Sequence, residues 1–313
     1  MSSGGGVRVL GRDDLPAFLA LCADDPVVNV FADHRGRTTG LDPRWLGGEV
    51  WGRFVDGSLA AACHVAANFV PVGCTEEDVR VFARYALRRG RRASTLVGPS
   101  PLIAAFWDEL DGAWGRAREE RWSQPHMEYV GPARVAPDPG VRHSGLDDVD
   151  ALYPACVAMY TEEVGVSPEV GGGAELYRAR VVQLVARGWS FARYDEEGRV
   201  EFKAEVACAS PYAAQVQGVW VRPDLRGRGL ATAGMAAVAE AVRTGIAPVV
   251  SLYVNDWNAG ARAVYEKVGF VETGASPPSC GEGAGSRFAT RRGPPVACSH
   301  DHADVPALRT HAP

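Results

Sequence analysis

One segment in the last third of the chain has the order of elements that binds phosphate groups. Between Val219 and Thr232, a run of β-formers breaks at Pro223, and Gly227 and Gly229 then precede an alanine-rich stretch. The first N–H groups of a helix lack partners within the helix, and the helix dipole makes this end positive. Glycines let a ligand approach the backbone closely. We therefore predict a diphosphate site whose donors are the backbone N–H groups of residues 227–232.

Two arginines flank the first of these glycines. Arg226 and Arg228 would add positive charge beside a bound diphosphate. A plain glycine turn before a helix is the simplest alternative, and a Rossmann dinucleotide site is another. The Rossmann pattern requires Gly or Ala where this chain has Thr232, and an acidic residue where it has Asn255. No Lys-Ser/Thr pair follows the glycines, which excludes a P-loop.

A second motif follows the apolar strand predicted over 248–254. It reads Asn258-x-x-Ala261-x-x-x-Tyr265-x-x-x-Gly269-Phe270. Asn258 is typical of a helix N-cap. Tyr265 shares the inner stripe of the predicted helix with Ala261, so a role in the core explains it equally well.

The two motifs together resemble the GNAT family of acetyl-CoA-dependent N-acetyltransferases, over about residues 141–274. The resemblance implies that CoA pyrophosphate lies on the glycine turn and that the pantetheine arm pairs along the preceding strand. It also implies that Tyr265 protonates the departing CoA thiolate. The residues implied to bind acetyl-CoA, the cosubstrate, are Val219, Trp220, Val221, Arg226, Gly227, Arg228, Gly229, Leu230, Ala231, Thr232 and Asn258.

A general base is needed if the acceptor is a protonated amine, because only the neutral amine attacks a thioester. Glu205 is the first candidate, since it lies opposite the apolar stripe of a strand predicted over 200–209. Glu162 and Glu163, at the end of a predicted helix, are the second. The alternative for each is a solvated surface charge.

The beginnings of the two halves resemble each other. Val7-Arg8-x-x-Gly11-x-Asp13-Asp14 recurs as Val141-Arg142-x-x-Gly145-x-Asp147-Asp148, which predicts a strand, an Asp N-cap and a helix in both places. The fold class predicted is α+β, with tandem GNAT-like domains that each contain a mixed, mostly antiparallel sheet flanked by helices. The predicted regions are a degenerate GNAT-like domain at 1–131, a linker at 132–140, a GNAT acetyltransferase domain at 141–274 and a disordered tail at 275–313.

The tail departs from the resemblance, because prolines in Ser276-Pro-Pro-Ser-Cys280 prevent the closing strand that the family implies. In the preceding reading frame the same codons would give an aromatic, two small and two aliphatic residues. We hypothesise a frameshift near Gly274. Cys298-Ser-His300-Asp-His302 resembles a metal tract, but its surroundings are typical of disorder, and no metal is predicted.

Composition limits the partners. The net charge is −5, no apolar run is long enough to span a bilayer, and the N-terminus lacks the features of a signal peptide. We therefore expect a cytoplasmic protein that binds neither nucleic acid nor membrane. The 7 cysteines are scattered and form no C-x-x-C pair, which indicates reduced thiols. The sequence does not indicate an oligomeric state.

These patterns predict an N-acetyltransferase that moves acetyl directly from the thioester to a primary amine of a small molecule or peptide. No residue stands out as a covalent nucleophile, which favours a ternary complex. The alternatives are an acyl-CoA-binding regulatory or sensor protein without turnover and an NAD-dependent enzyme.

Overall fold

The computed structural model describes residues 6–115 and 124–273. Within these ranges the chain forms two compact units. The first contains residues 6–25 and 32–115, and the second contains Pro26–Phe31 and Gln124–Thr273.

The first unit contains a five-stranded sheet in the order β1-β2-β3-β4-β5, antiparallel except for the parallel pair β4–β5. Trp51, Phe69, Phe82 and Phe106 are buried together in its largest core cluster. The elements numbered here are β1 (Val7–Val9), α1 (Leu15–Ala23), α2 (Val30–Thr39), α3 (Pro43–Leu46), β2 (Glu49–Val55), β3 (Ser58–Val65), β4 (Asn68–Val72), α4 (Glu76–Arg89), β5 (Thr95–Leu96) and α5 (Ser100–Trp114).

The second unit contains a seven-stranded sheet in the order β12-β6-β11-β10-β9-β8-β7. Only β10 and β11 pair in parallel. Its elements are β6 (His126–Tyr129), β7 (Arg142–His143), α6 (Val149–Val164), α7 (Ala174–Ala186), β8 (Ser190–Tyr194), β9 (Val200–Ala209), β10 (Ala213–Val221), α8 (Leu230–Gly245), β11 (Val249–Tyr253), α9 (Ala259–Val268) and β12 (Val271–Glu272). The predicted fold class is confirmed: both sheets are mixed, mostly antiparallel and accompanied by helices.

The alternation of β9 determines which helices cover its two faces. Phe202, Ala204 and Val206 pack in one core cluster with residues of α8. Helix α8 comes close to the sheet because Gly234 faces the Phe202 ring, where a β-carbon would lie 2.8 Å from the ring atoms. The polar residues of β9 are thereby left to the opposite face.

The repeated start motif has the same geometry in both units. In each copy the second aspartate occupies the N-cap position but makes no side-chain capping bond to its helix, contrary to the predicted Asp N-cap. Its carboxylate instead accepts hydrogen bonds from the N–H of the motif's glycine and from the side chain of the motif's arginine. Asp14 accepts from Gly11 and Arg8, and Asp148 accepts from Gly145 and Arg142.

The second unit begins earlier than the predicted boundary at residue 131. Strand β6 precedes the predicted linker yet lies between β11 and β12, with Met127 and Tyr129 fully buried. The strand pairs with residues more than a hundred positions away, so local patterns do not show which sheet it joins. The predicted tail disorder, the frameshift hypothesis and the Cys298 to His302 tract concern residues outside the described ranges. None of the helices in those ranges has both the length and the apolar character needed to cross a membrane.

Glu240 connects β6 and the segment after it to α8 within the second unit. Its carboxylate accepts from the Tyr129 hydroxyl and, at 2.8 Å, from the Ala133 N–H. We expect Glu240→Leu to lower the free energy of unfolding of this unit by about 2–4 kcal/mol, because the buried Tyr129 hydroxyl and the half-buried Ala133 N–H lose a charged acceptor. Urea unfolding followed by fluorescence measures this loss.

The double variant Tyr129→Phe/Glu240→Leu serves as the control, since it removes one of the stranded donors. It should be more stable than Glu240→Leu alone. Equal or lower stability of the double variant would contradict the assigned contact.

Candidate functional site

The strands β10 and β11 diverge in the middle of the second sheet. Their parallel register ends at Gln215, which pairs with Ser251, whereas β10 continues to Val221. Residues 216–221 therefore have no strand partner on the β11 side within the described ranges. The predicted residues Val219, Trp220 and Val221 lie in this diverging part, where an extended ligand could pair with the open strand edge.

The divergence coincides with a bulge between β10 and β9. Gln217 is in register with Glu205, and the next pair in register is Trp220 with Lys203. One more residue is used on β10 than on β9 over this interval, which is the definition of a β-bulge. Gly218 has a φ of +61°, a conformation that favours glycine.

The glycine turn after β10 presents a row of open backbone donors. Gly227 and Gly229 have φ values of +76° and +85°, and a β-carbon at either would meet nothing within 4 Å. Glycine is needed here for its backbone conformation, and the space beside the turn is open. In the described part of the chain, the N–H groups of residues 227–231 make no hydrogen bond.

One predicted donor is not available. The Thr232 N–H donates to the Gly229 carbonyl at 3.0 Å, as does that of Ala233 at 3.2 Å. The open row therefore comprises five residues, 227–231, and includes Leu230 and Ala231 at the start of α8. Helix α8 has 16 residues, and its positive end adds to these donors.

The two arginines have different surroundings. Arg226 donates to the Val221 carbonyl at 3.0 Å and to Glu162 of α6 at 2.7 Å. Glu162 also accepts from the Trp220 indole at 3.1 Å, so it links α6 to the strand end and to the turn. The Arg228 side chain is exposed and has no partner among the described residues, which leaves its charge available to an anion.

Asn258 caps α9, as its residue type predicts. Its side-chain oxygen accepts from the Ala261 N–H at 3.1 Å. Asn255, just before it, accepts from the Gln124 side chain at 2.9 Å. The Asn258 amide therefore fixes the start of α9, and the Asn255 amide links this loop to Gln124.

Tyr265 is 8 % exposed and belongs to the core cluster beneath α8 and α9. Its hydroxyl makes no hydrogen bond within residues 6–115 and 124–273. Burial raises the pKa of Tyr265 well above its usual value, and the nearby carboxylate of Glu163 adds to this. The hydroxyl therefore stays protonated at neutral pH, the state that a proton donor requires.

Glu205 is engaged by two partners. Its Oε2 accepts from Lys203 Nζ at 3.0 Å and its Oε1 from Gln217 Nε2 at 2.9 Å. Burial is the largest single influence and raises the pKa of this carboxyl, but the charges of Lys203 and Arg180 and the hydrogen bonds from Lys203 and Gln217 together hold the pKa below its usual value. A carboxylate with a lowered pKa and two strong donors is a weak proton acceptor, which argues against Glu205 as the general base.

The corresponding helix start in the first unit is closed. Thr75 caps α4, and the carboxylate of Asp78 accepts from the Thr75 N–H at 2.8 Å. Arg53 forms an ion pair with the same carboxylate. The Asp78 carboxylate thus occupies the N-terminal end of α4, whereas the N-terminal end of α8 has open backbone donors.

Comparison with known proteins agrees with this geometry. Residues 183–270 match the family model "Acetyltransferase (GNAT) family", and residues 48–152 match a "Domain of unknown function (DUF4081)". The second match crosses 132–140, the predicted linker. A comparison with curated protein sequences finds no match.

Three solved structures have a similar fold. A GCN5-related N-acetyltransferase from Sphaerobacter thermophilus has 18 % identity and a TM-score of 0.56. The match covers 87 % of this chain and 94 % of the Sphaerobacter chain. A tandem GNAT protein from the clavulanic acid biosynthesis pathway has 17 % identity and a TM-score of 0.54, covering 85 % and 95 %. A GNAT-family acetyltransferase from Colwellia psychrerythraea has 14 % identity and a TM-score of 0.51, covering 85 % and 96 %.

The diverging strands, the open helix end and the family match define an acyltransferase domain. More particularly, the second unit carries an acetyltransferase domain of the GNAT family at residues 183–270. The predicted family resemblance is confirmed for this part of the chain.

Proposed function

We propose that the protein is an acetyl-CoA-dependent N-acetyltransferase that transfers acetyl directly to a primary amine of a small molecule or peptide. The observation that carries the proposal is the row of five open N–H groups at residues 227–231, immediately ahead of α8. Such a row at a helix N-terminus suits a diphosphate, and Arg228 adds a free positive charge. Bound acetyl-CoA would supply the reactive thioester.

The open edge of β10 supports a place for the rest of the cosubstrate. In this arrangement the pantetheine arm pairs along Val219 to Val221, while the diphosphate lies at the turn that follows. Backbone N–H groups in this stretch would stabilise the negative charge that develops on the thioester oxygen. The resemblance to the family assigns the same path.

The thiols support direct transfer over a covalent intermediate. Burial raises the pKa of Cys156 to about 11 and that of Cys208 to about 12, so both remain protonated at neutral pH. A protonated, buried thiol is a poor nucleophile. Transfer would therefore take place with both substrates bound, Tyr265 protonating the departing thiolate and Glu163, directly or through water, accepting the proton of the amine.

Release of CoA thiol over a panel of amines, amino acids, aminoglycosides and peptide N-termini tests the proposal. We expect release that depends on the acceptor and saturates with acetyl-CoA. Binding of acetyl-CoA without release for any acceptor would favour a sensor, and the absence of binding would contradict both functions.

A further inference from the structure

A charged pair lies in the interior of the second unit at the point where β10 departs from its neighbours. Lys203 is 0 % exposed, and its partner Glu205 is 6 % exposed. Gln217 of β10 donates to the same carboxylate, so a network of three polar side chains joins β9 to β10. Burying two charges costs several kcal/mol, and such a pair is weak as a source of stability.

The network encloses the bulge on both sides. Glu205 is in register with Gln217 before the bulge, and Lys203 is in register with Trp220 after it. A β-carbon at Gly218 would lie 3.1 Å from both Lys203 Nζ and Glu205 Cδ. The ion pair therefore lies directly against Gly218, and a β-carbon there would require the pair to shift by a few tenths of an ångström.

Gly218 and Val219 have no residue in register on β9, and the register with β11 has already ended at Gln215. The conformation of this backbone is thus not imposed by strand pairing on either side. The atoms nearest to a β-carbon at Gly218 belong to Glu205 and Lys203, the two charged members of the network with Gln217.

We propose that Lys203 and Glu205 are positioning residues, whose ion pair shapes the Gly218–Val219 bulge so that its backbone N–H binds the carbonyl oxygen of the acyl thioester. This inference rests on the proposed function, and it gives Glu205 a different role from the predicted general base. The two residues do not touch the reacting atoms; they act through the backbone of β10.

The test compares binding of acetyl-CoA with binding of S-ethyl-CoA, a thioether that lacks only the carbonyl oxygen. One hydrogen bond corresponds to about a fivefold difference in Kd, and we expect wild-type protein to prefer acetyl-CoA by about this factor. Isothermal titration calorimetry measures both constants without an acceptor. The readout is the ratio of the two Kd values, which a general loss of stability does not change.

The decisive variant is Lys203→Met/Glu205→Gln, which removes both charges together and leaves an amide oxygen for Gln217. Because no lone charge remains in the interior, this variant should be more stable than either single variant. We expect it to bind S-ethyl-CoA as wild type does and to lose the preference for acetyl-CoA. The control is Arg142→Met/Asp148→Asn, which removes both charges of an ion pair away from the bulge, and it should keep the preference.

Each outcome has a definite meaning. A double variant that retains the wild-type ratio, or a wild-type protein that binds both ligands equally, overturns the inference and leaves the proposed function intact. Wild-type protein that binds neither ligand overturns both. If the double variant does not fold, Gln217→Leu takes its place, because it cuts the network from β10 at a half-buried position; an unchanged ratio in that variant also overturns the inference.

Discussion

Thr232→Asp should weaken acetyl-CoA binding by a factor of about 100 or more while the second unit stays folded. The variant gives α8 a carboxylate at its third residue, the position that Asp78 has in α4. A carboxylate about 5 Å from a group with about two negative charges costs about 3 kcal/mol at an effective dielectric constant of about 40. The same carboxylate is favourable for the helix itself, because it lies at the positive end.

Thr232→Asn is the matched control, with nearly the same shape and no charge. It should change the Kd for acetyl-CoA by only a few-fold. Titration calorimetry at low and high salt separates the two variants, since the effect of the charge should shrink as ionic strength rises. Equal Kd values for Thr232→Asp and wild type would contradict a diphosphate at this helix end.

Tyr265→Phe should reduce kcat by a factor of about 100 or more, the usual contribution of a positioned proton donor. The Kd for acetyl-CoA should change little, because the aromatic ring keeps its contacts in the core. The hydroxyl is neutral below its pKa, and that pKa is raised. Any decline of kcat due to ionisation of Tyr265 should therefore occur at a pH above about 10, the usual pKa of tyrosine. Steady-state kinetics with the best acceptor of the panel, over a range of pH, measure both effects.

Tyr212→Phe provides the comparison, since Tyr212 lies in the turn between β9 and β10 and is largely exposed. It should leave kcat unchanged. If Tyr265→Phe retains wild-type turnover with normal binding, the thiolate receives its proton from another group or from water.

The glycine turn could be read from sequence because its features are local. Pro223 ends the strand, Gly227 and Gly229 adopt positive φ, and the helix follows at once. Each of these follows from the residue type and its immediate neighbours. The strand predicted over 200–209 is β9 with the same bounds, because apolar residues at every second position from Val200 to Cys208 are a strong signal.

The environment of Glu205 could not be read in the same way. The i, i+2 spacing places Lys203 and Glu205 on one face of β9, which hints at a pair, but burial of that face depends on α6 and α7. The contact between Glu205 and Gln217 depends further on the bulge in β10, which no residue pattern predicted. Long-range packing therefore changed the expected chemistry of a residue whose position was correctly predicted.

The last turn of α6 carries two carboxylates with separate tasks. Glu162 accepts from Arg226 of the glycine turn and from Trp220 of β10, and Glu163 next to it adds to the rise that burial produces in the pKa of Tyr265. Under the proposed function, a movement of Arg226 toward bound acetyl-CoA would therefore act on α6, the helix that adjoins Tyr265. By thermodynamic linkage, if binding of one substrate changes the Kd of the other through this turn, the second changes the Kd of the first by the same factor. Cooperativity between the two substrates can therefore be measured from either direction.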